Sequence, residues 1–306
     1  MSLEVELKLL LPAEQAAAIY SAVTDSCRQQ LSTVEWCGEK TLLNAYFDTA
    51  DRWFRRHDSG LRTRQKQNQF EQTLKLSGQQ HGAAHIRPEY NVPVSGVTPV
   101  LSAFPAEVWP PDTDVAGLQQ QLIELFRTDF VRQTLLLTTN QGARIELVFD
   151  QGVVAGGGQQ EVICELELEL QSGAVSEIFA LASALVLQFP LQLGVQSKAE
   201  RGYLLAQQQR LCWQDFAPAD SASALLSKFL RNQLLVQRNL VGAEQLAQQW
   251  QQWLERLSVD PAAAVLLRAA VALGPHPEPQ AWQHWLLQYS IWLLDPATLN
   301  ASLINA

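Results

Sequence analysis

A short segment of the chain, residues 165–169, alternates glutamate with leucine. Glu165, Glu167 and Glu169 stand at every second position, so an extended strand places their three carboxylates on one face. Like charges at this spacing repel each other and destabilise the strand, so something must offset them. Mg²⁺ and Mn²⁺ do so directly, because they prefer oxygen ligands from carboxylates and water. The segment therefore predicts one wall of a metal site.

The first ten residues follow the same pattern and add a basic residue. Glu4, Glu6 and Lys8 fall on one face of a predicted strand, and apolar side chains fall on the other. Taken alone, this pattern also fits an ordinary strand edge whose charged face meets solvent. The other strands decide between that interpretation and a polar cavity.

The charged faces of the other predicted strands are sorted by sign. Basic residues mark one group of strands, at Arg62, Arg64, Lys75 and Arg132. The strands at residues 4–6, 146–150 and 165–169 are largely acidic, and the second of them carries Glu146 and Asp150. Arg87, Glu89 and Arg144 also alternate with apolar residues. A solvated face normally mixes Ser, Thr, Gln and Lys, whereas a basic wall suits phosphate, which arginine binds bidentately. An acidic wall that faces a basic one fits a closed barrel with a charged lumen better than an open sheet.

Eight segments have the pattern of β-strands. They lie at about residues 3–10, 40–48, 60–66, 69–77, 85–94, 127–139, 143–154 and 161–171. Helical patterns cover about residues 12–30, 174–188 and 196–209. Alternating βα units are missing, which disfavours a doubly wound parallel sheet. The predicted class is α+β: an eight-stranded antiparallel β-barrel, or tunnel, with flanking helices.

The composition changes near residues 215–220, a Pro/Ala/Asp stretch typical of a linker. Residues 211–306 carry only five of the 22 Lys and Arg and are rich in Leu, Gln, Ala and Trp. We therefore predict two domains, 1–210 and a small all-α domain at 211–306 with about three helices. Its tryptophans predict a role in packing or in forming a homodimer.

Overall composition excludes several classes of protein. The net charge of −9 argues against general nucleic-acid binding, although it allows an anionic small ligand. The four cysteines form no C-x-x-C pair, which predicts reduced thiols in a cytoplasmic protein. Charged residues near the N-terminus argue against a signal peptide. The sequence has no apolar run of about 18 residues, so we predict no membrane span. No P-loop and no recognisable nucleophile motif occurs.

These motifs, in this order, resemble the CYTH superfamily, the triphosphate tunnel metalloenzymes. The likeness rests on Glu4-x-Glu6-x-Lys8, Tyr46-Phe-Asp-Thr49, the G-L-R-x-R at 60–64, Lys75, R-P-E-Y at 87–90, Arg132, Arg144-Ile-Glu146, Asp150, E-L-E-L-E at 165–169 and S-K-A-E-R-G-Y at 197–203. It covers about 200 residues. The sequence is most similar to bacterial inorganic triphosphatases that join a CYTH domain to a helical CHAD-type domain, here in an abbreviated form.

The resemblance implies roles for individual residues. The implied metal ligands are Glu4, Glu6, Asp150, Glu165, Glu167 and Glu169. Because the last three all face one way, alternation does not tell which of them bind the metal. The implied phosphate-binding residues are Lys8, Arg62, Arg64, Lys75, Arg87, Arg132 and Lys198. Arg201 lies three residues beyond Lys198 on nearly the same helical face, where it assists or supports that lysine. The supporting residues are Glu89, Arg144 and Glu146, and the implied catalytic residues are Lys8, Glu4 and Glu6.

The expected reaction is hydrolysis of inorganic triphosphate to pyrophosphate and phosphate, with Mg²⁺ or Mn²⁺ as cofactor. Three alternatives stay open. One is a different triphosphate, such as thiamine triphosphate, a nucleoside triphosphate or ATP in a cyclisation. The second is a polyphosphate-binding module without activity, and the third is a scaffold whose helical part is the functional unit.

Overall fold

The computed structural model describes residues 2–66, 69–81, 84–274 and 278–294, without the side chains of 2–4, 79–81 and 84–87. Ten strands form one antiparallel sheet in this part of the chain. They are β1 (Ser2–Leu10), β2 (Thr33–Asp48), β3 (Gly60–Lys66), β4 (Gln69–Lys75), β5 (Gln79–His81), β6 (Ala84–Val94), β7 (Ile123–Thr138), β8 (Arg144–Gly156), β9 (Gln159–Ser172) and β10 (Gln192–Gly194).

The sheet closes on itself. The strand order is β10-β1-β9-β8-β7-β2-β3-β4-β6-β5, and β1 also pairs with β6. That additional pairing joins eight strands into a ring, and the three-residue strands β5 and β10 are attached to it. The predicted eight-stranded antiparallel tunnel is confirmed, while the two short strands were not predicted because three residues carry too little periodicity.

Helices flank the ring and continue beyond it. They are α1 (Ala16–Gln30), α2 (Trp53–Arg56), α3 (Val115–Gln121), α4 (Val175–Gln188), α5 (Lys198–Ala206), α6 (Ala222–Gln237), α7 (Ala243–Ser258), α8 (Ala264–Leu273) and α9 (Pro279–Leu294). Short 3₁₀ helices occupy Ala13–Gln15, Leu101–Ala103, Ala106–Val108 and Pro261–Ala263. The C-terminal part thus has four α-helices in its described residues, one more than predicted.

The register of the strands places their charged faces in the lumen. Lys8 lies opposite Glu167, and Asp150 lies opposite both Arg132 and Glu165. Residues opposite each other in an antiparallel pair share a face, so the pairings carry the acidic and basic positions around one inner surface. The intervening leucines of β1 and β9 face outward, where they join the core formed with α1 and α4.

The strand β2 is longer than predicted at its N-terminal end. It begins at Thr33 and pairs with β7 along nearly its whole length. Its first nine residues are mostly exposed, with a bulge between Trp36 and Gly38, so they lack the alternation of buried and exposed residues that predicts a strand. The long partner strand, and not a local pattern, stabilises this end of β2.

The C-terminal helices share one hydrophobic core with the outer face of the ring. Trp250, Trp253 and Trp285 are buried with Phe229 and Tyr289 among α6, α7 and α9. The same core includes residues of α4 and the outward leucines of the sheet. The domain boundary at residue 210 stays a prediction. No helix within the described ranges has both the length and the apolar character needed to cross a bilayer.

Candidate active site

A cavity of about 240 Å³ opens into the lumen of the ring. Residues that the sequence analysis singled out supply much of its wall. They are Glu6, Lys8, Arg62, Arg64, Lys75, Glu89, Arg132, Glu167, Glu169 and Lys198. These side chains come from β1, β3, β4, β6, β7, β9 and α5, so the closure of the sheet is what brings them together.

Three carboxylates form a cluster at the inner side of this cavity. Asp150 and Glu165 are fully buried and Glu167 is 8% exposed. An oxygen from each lies within 4.8 Å of the others. Burial would raise the pKa of Asp150 and of Glu167, but neighbouring lysine and arginine charges outweigh it and hold both pKa values below their usual range. Asp150 and Glu167 are therefore ionised at neutral pH.

Lys198 is the cation that contacts all three carboxylates. Its Nζ lies 2.6 Å from Asp150 Oδ2, 2.5 Å from Glu165 Oε1 and 2.8 Å from Glu167 Oε1. The lysine begins α5, whose N-cap is Ser197; the Ser197 hydroxyl accepts a hydrogen bond from the backbone N–H of Glu200. This cap fixes where the helix begins and thereby where Lys198 enters the lumen.

Lys8 of β1, the strand that neighbours β9, contacts two of these carboxylates, Glu165 and Glu167. Its Nζ donates to Glu165 Oε1 at 2.5 Å and also to Glu167, and it lies 3.7 Å from Glu6 Oε1. Burial would lower the pKa of Lys8, but the charges of Glu165 and Glu167 outweigh it and the pKa is raised. Lys8 is therefore a fixed ammonium group, which suits it to bind an anion and not to accept a proton.

Arg132 completes the set of cations around the cluster. Its Nε and Nη2 donate to the two oxygens of Asp150 at 2.7 and 2.6 Å, and Nη2 also donates to Glu167 at 2.7 Å. The pairing of β7 with β8 places Arg132 directly opposite Asp150, which explains the bidentate geometry. Because these charges are buried, their stability depends on each having its partners.

The opposite wall of the cavity is basic. Arg64 donates to Asn44 Oδ1 at 2.7 Å, and burial together with the charges of Arg62 and Arg132 lowers the pKa of Arg64 to about 9. Burial is the largest cause of this shift, and the positive charges of Arg62 and Arg132 add to it. A bound anion would relieve the repulsion, so this side of the lumen favours a polyanion.

Glu89 provides a carboxylate within the basic wall. Lys75 Nζ lies 2.8 Å from its Oε2, and Arg62 Nη2 lies 3.9 Å from its Oε1. Burial would raise the pKa of Glu89, but Lys75 and Arg62 hold it at about 2. Glu89 therefore orients the two cations, as expected for a supporting residue.

Several predicted residues do not line the cavity. Asp150 and Glu165 lie behind it. Arg144 and Glu146 line a separate cavity with Lys40 and Thr134. Arg201 is buried beside Glu165, with Nη1 3.5 Å from its Oε2. The side chains of Glu4 and Arg87 lie outside the described part of the chain.

One further group lines the cavity, and its role was not predicted from the sequence. Arg55 of α2 lines it with its guanidinium 5.5 Å from the centre of the Tyr203 ring. Asp48, which is fully buried, accepts hydrogen bonds from the Tyr203 hydroxyl at 2.8 Å and from the Arg55 backbone N–H at 3.1 Å. Burial and Asp48 raise the pKa of Tyr203, so its hydroxyl stays a donor. Asp48 and Tyr203 belong to the motifs at 46–49 and 197–203, and membership of those motifs is the sign in the sequence that could have pointed to this group.

The donor set fits a hard divalent cation. Carboxylate oxygens are the ligands that Mg²⁺ and Mn²⁺ prefer, and three lie close together in the inner cluster. In that cluster, Lys198 contacts Asp150 and Glu165, and Lys8 contacts Glu165, so these carboxylates already have cationic partners. Glu6, Glu167 and Glu169 face the cavity itself, and Glu6 lies opposite Glu169 in the pairing of β1 with β9.

The chain is similar to an inorganic triphosphatase of Haemophilus influenzae, with 36% identity over 183 residues that cover 56% of this chain and 49% of the relative. The chain thus matches about half the length of that relative. Among solved structures, it is similar to a Hippeastrum adenylyl cyclase candidate in which a triphosphatase activity dominates (TM-score 0.44, 17% identity, 68% of this chain and 97% of that chain). It is also similar to the PH1819 protein of Pyrococcus horikoshii (TM-score 0.41, 18% identity, 67% and 99%).

A family model settles the classification. The model described as the CYTH domain matches residues 2–203 of the 306. The match begins in β1 and ends in α5, and so includes all eight strands of the ring and the helix that carries Lys198. The chain therefore belongs to the CYTH domain family.

Proposed function

We propose that the chain is a metal-dependent hydrolase that cleaves inorganic triphosphate to pyrophosphate and phosphate. The observation that carries the proposal is the lumen, where Arg62, Arg64 and Lys75 line one cavity together with the carboxylates Glu6, Glu167 and Glu169. Similarity to a protein named inorganic triphosphatase supports the same activity. A purely polyphosphate-binding module would need the basic wall but not the acidic one.

The small volume and the lining of the cavity favour an inorganic substrate over a nucleotide. Its volume of about 240 Å³ lies below the roughly 300–1,000 Å³ that is typical of sites for larger organic ligands. Three aromatic rings line it in the described part of the chain, and each already has a neighbour. Tyr46 stacks on Phe126, Phe130 lies 5.0 Å from Lys198 Nζ, and Tyr203 lies beneath Arg55. Each ring thus already packs against a neighbouring group on one side.

The carboxylates that face the cavity would hold the metal. These are Glu6, Glu167 and Glu169, with Glu4 expected from its place on the same strand. A bound Mg²⁺ or Mn²⁺ supplies charge neutralisation at the phosphate oxygens and lowers the pKa of a bound water. Asp150 and Glu165 keep Lys8 and Lys198 in position, since they pair with those lysines.

The chain's own residues then bind and orient the triphosphate. Arg62, Arg64 and Lys75 neutralise its charge from one wall, and Lys8 and Lys198 do so from the other. A carboxylate at the cavity surface, Glu6 or Glu169, accepts the proton of the attacking water. Phosphoryl transfer depends mainly on positioning and charge stabilisation, so no covalent nucleophile is needed.

The test is a steady-state assay of phosphate release. Tripolyphosphate, ATP and thiamine triphosphate are compared with Mg²⁺, with Mn²⁺ and with EDTA. We expect the highest kcat/KM for tripolyphosphate and complete loss with EDTA. Preference for ATP or thiamine triphosphate would replace the substrate assignment, and no metal-dependent release from any of the three would contradict the hydrolase proposal.

We further propose that residues 211–306 belong to a CHAD-like helical domain and that the protein acts in the cytoplasm. Cys27, Cys37, Cys164 and Cys212 are free thiols, as a reducing compartment requires. The homodimer stays a prediction. Light scattering on the purified chain would test it, and a mass of one chain would contradict it.

A further inference from the structure

The helix that carries Lys198 is contacted by α6, the first of the C-terminal helices. Arg231 of α6 donates to both oxygens of Glu200 on α5, with Nη2 3.1 Å from Oε2 and Nη1 close to Oε1. The two side chains are only 20% and 14% exposed. Glu200 also lines the cavity, two residues after Lys198. A single bidentate ion pair therefore joins α6 to the wall of the lumen.

A second connection runs from the end of α6 to the buried carboxylates. Arg238 donates to Glu161 of β9 at 2.7 Å. The same oxygen of Glu161 lies 2.8 Å from Arg201 Nε, and Arg201 reaches Glu165 at 3.5 Å. Arg201 is 6% exposed, so this chain of charges passes from the surface of α6 into the core of the site. The first connection ends on α5, and the second passes through Arg201 of the same helix.

These contacts matter because α5 is short. With nine residues it lies below the length at which a helix is stable alone, so tertiary contacts must set its position. Exposed ion pairs contribute little to stability, but bidentate pairs that are partly buried hold a defined geometry. Arg231 and Glu200 meet that condition. The pair therefore gives α6 a contact of defined geometry with the helix that carries Lys198.

We propose that α6 is a clamp that positions the closing helix α5, and that Arg231 is its central positioning residue. The kinetic part of this inference rests on the proposed function. Arg231 acts through Glu200, which keeps the first turn of α5, and with it Lys198, directed into the lumen. The C-terminal helices thereby contribute to activity without touching the substrate.

Hydrogen exchange tests the clamp without any assay of activity. The variant Arg231→Ala is compared with wild type and with Arg268→Ala, a matched control at an exposed arginine of α8. We expect faster amide exchange in residues 198–206 for Arg231→Ala alone, and unchanged exchange in α9 for both variants. Exchange in 198–206 that does not respond to Arg231→Ala would overturn the clamp, whatever the chain hydrolyses.

Kinetics separate positioning from general destabilisation. We expect Arg231→Ala to lower kcat/KM for tripolyphosphate about tenfold, a loss of about 1.4 kcal/mol of transition-state stabilisation, with Arg231→Lys in between. Glu200→Gln and the double variant should show similar losses, because both remove one interaction. Two outcomes would contradict a role through Glu200. One is a double variant whose loss is the sum of the two single losses, and the other is a loss for Arg231→Ala no larger than that for Arg268→Ala. If the wild type fails to hydrolyse tripolyphosphate, only the proposed function fails, and the exchange experiment still decides on the clamp.

Discussion

Lys198 Nζ lies 2.6 Å from Asp150 Oδ2, although one residue begins a helix and the other lies within a strand of the ring. The contact forms where the closing helix meets the barrel, and it joins two residues that no local pattern connects. Asp150 is fully buried, so its charge needs this partner. The acidic cluster and the closing helix therefore stabilise each other.

Removal of the Lys198 charge should strongly destabilise the fold. Lys198→Met leaves the buried Asp150 and Glu165 short of a cation, and we expect the free energy of unfolding to fall by about 3–5 kcal/mol. Lys228→Met is the matched control, because Lys228 forms a more exposed ion pair with Asp220 and should cost under about 1 kcal/mol. Urea denaturation measures both. Equal stability of the two variants would show that Lys198 is not needed by the cluster.

Carboxylates that face the cavity should determine the affinity for metal. Glu169→Gln removes an anionic oxygen beside Glu6 on the same wall, so we expect the Mg²⁺ concentration for half-maximal activity to rise about tenfold or more. Glu124→Gln is the control, since Glu124 pairs with Arg127 at the surface. A titration of rate against Mg²⁺ measures the shift. An unchanged midpoint for Glu169→Gln would remove this residue from the metal site.

The charge of Glu89 should make part of the stability depend on pH. Its pKa is about 2 in the folded chain and about 4.5 when unfolded, so its contribution is complete above about pH 5 and disappears as the pH falls towards 2. Glu89→Gln should cost up to about 3 kcal/mol at pH 7. Guanidinium denaturation of both proteins at pH 7, 5, 4 and 3 measures this. A difference that stays constant over that range would argue against ionised Glu89 as the cause.

The small residue at position 202 allows α5 to pack on the ring. A Cβ added to Gly202 would stand 2.0 Å from Phe126 Cδ2, and the Phe126 ring is itself stacked on Tyr46. We expect Gly202→Ala to destabilise the fold by about 1–3 kcal/mol and to lower kcat, because α5 must shift. Gly96→Ala, where an added Cβ has nothing within 4 Å, is the control for thermal unfolding and rate. Wild-type behaviour of Gly202→Ala would mean that α5 can move without loss.

The sequence predicts the composition of the lumen because alternation along a strand is local. Period-two spacing predicts that Glu6 and Lys8 share a face and that Glu167 faces with its neighbouring glutamates, and the charges of the other strands indicate that these faces line a lumen. The pairing of Lys8 with Glu167 and the lining of the cavity agree with this prediction. Alternation does not tell how far along the tunnel a residue lies. Arg144 and Glu146 share the face of Asp150 but line a separate cavity.

Contacts between distant parts of the chain could not be predicted. Closure depends on the pairing of β1 with β6, which follows from the register of the whole sheet. The bond from Tyr203 to Asp48 and the pair of Arg231 with Glu200 each join residues from different elements. Such contacts leave no periodic trace in the sequence, so the roles of Asp48, Arg55 and Arg231 emerge only from the structure.

We propose that one terminal phosphate of inorganic triphosphate is cleaved in the lumen. Phosphorus NMR of tripolyphosphate incubated with the wild-type chain and Mg²⁺ follows the substrate and both products at once. We predict that the triphosphate signals give way to equal amounts of pyrophosphate and phosphate, and that EDTA or Arg62→Gln slows the change severely. Triphosphate signals that persist unchanged with either Mg²⁺ or Mn²⁺ would contradict the account.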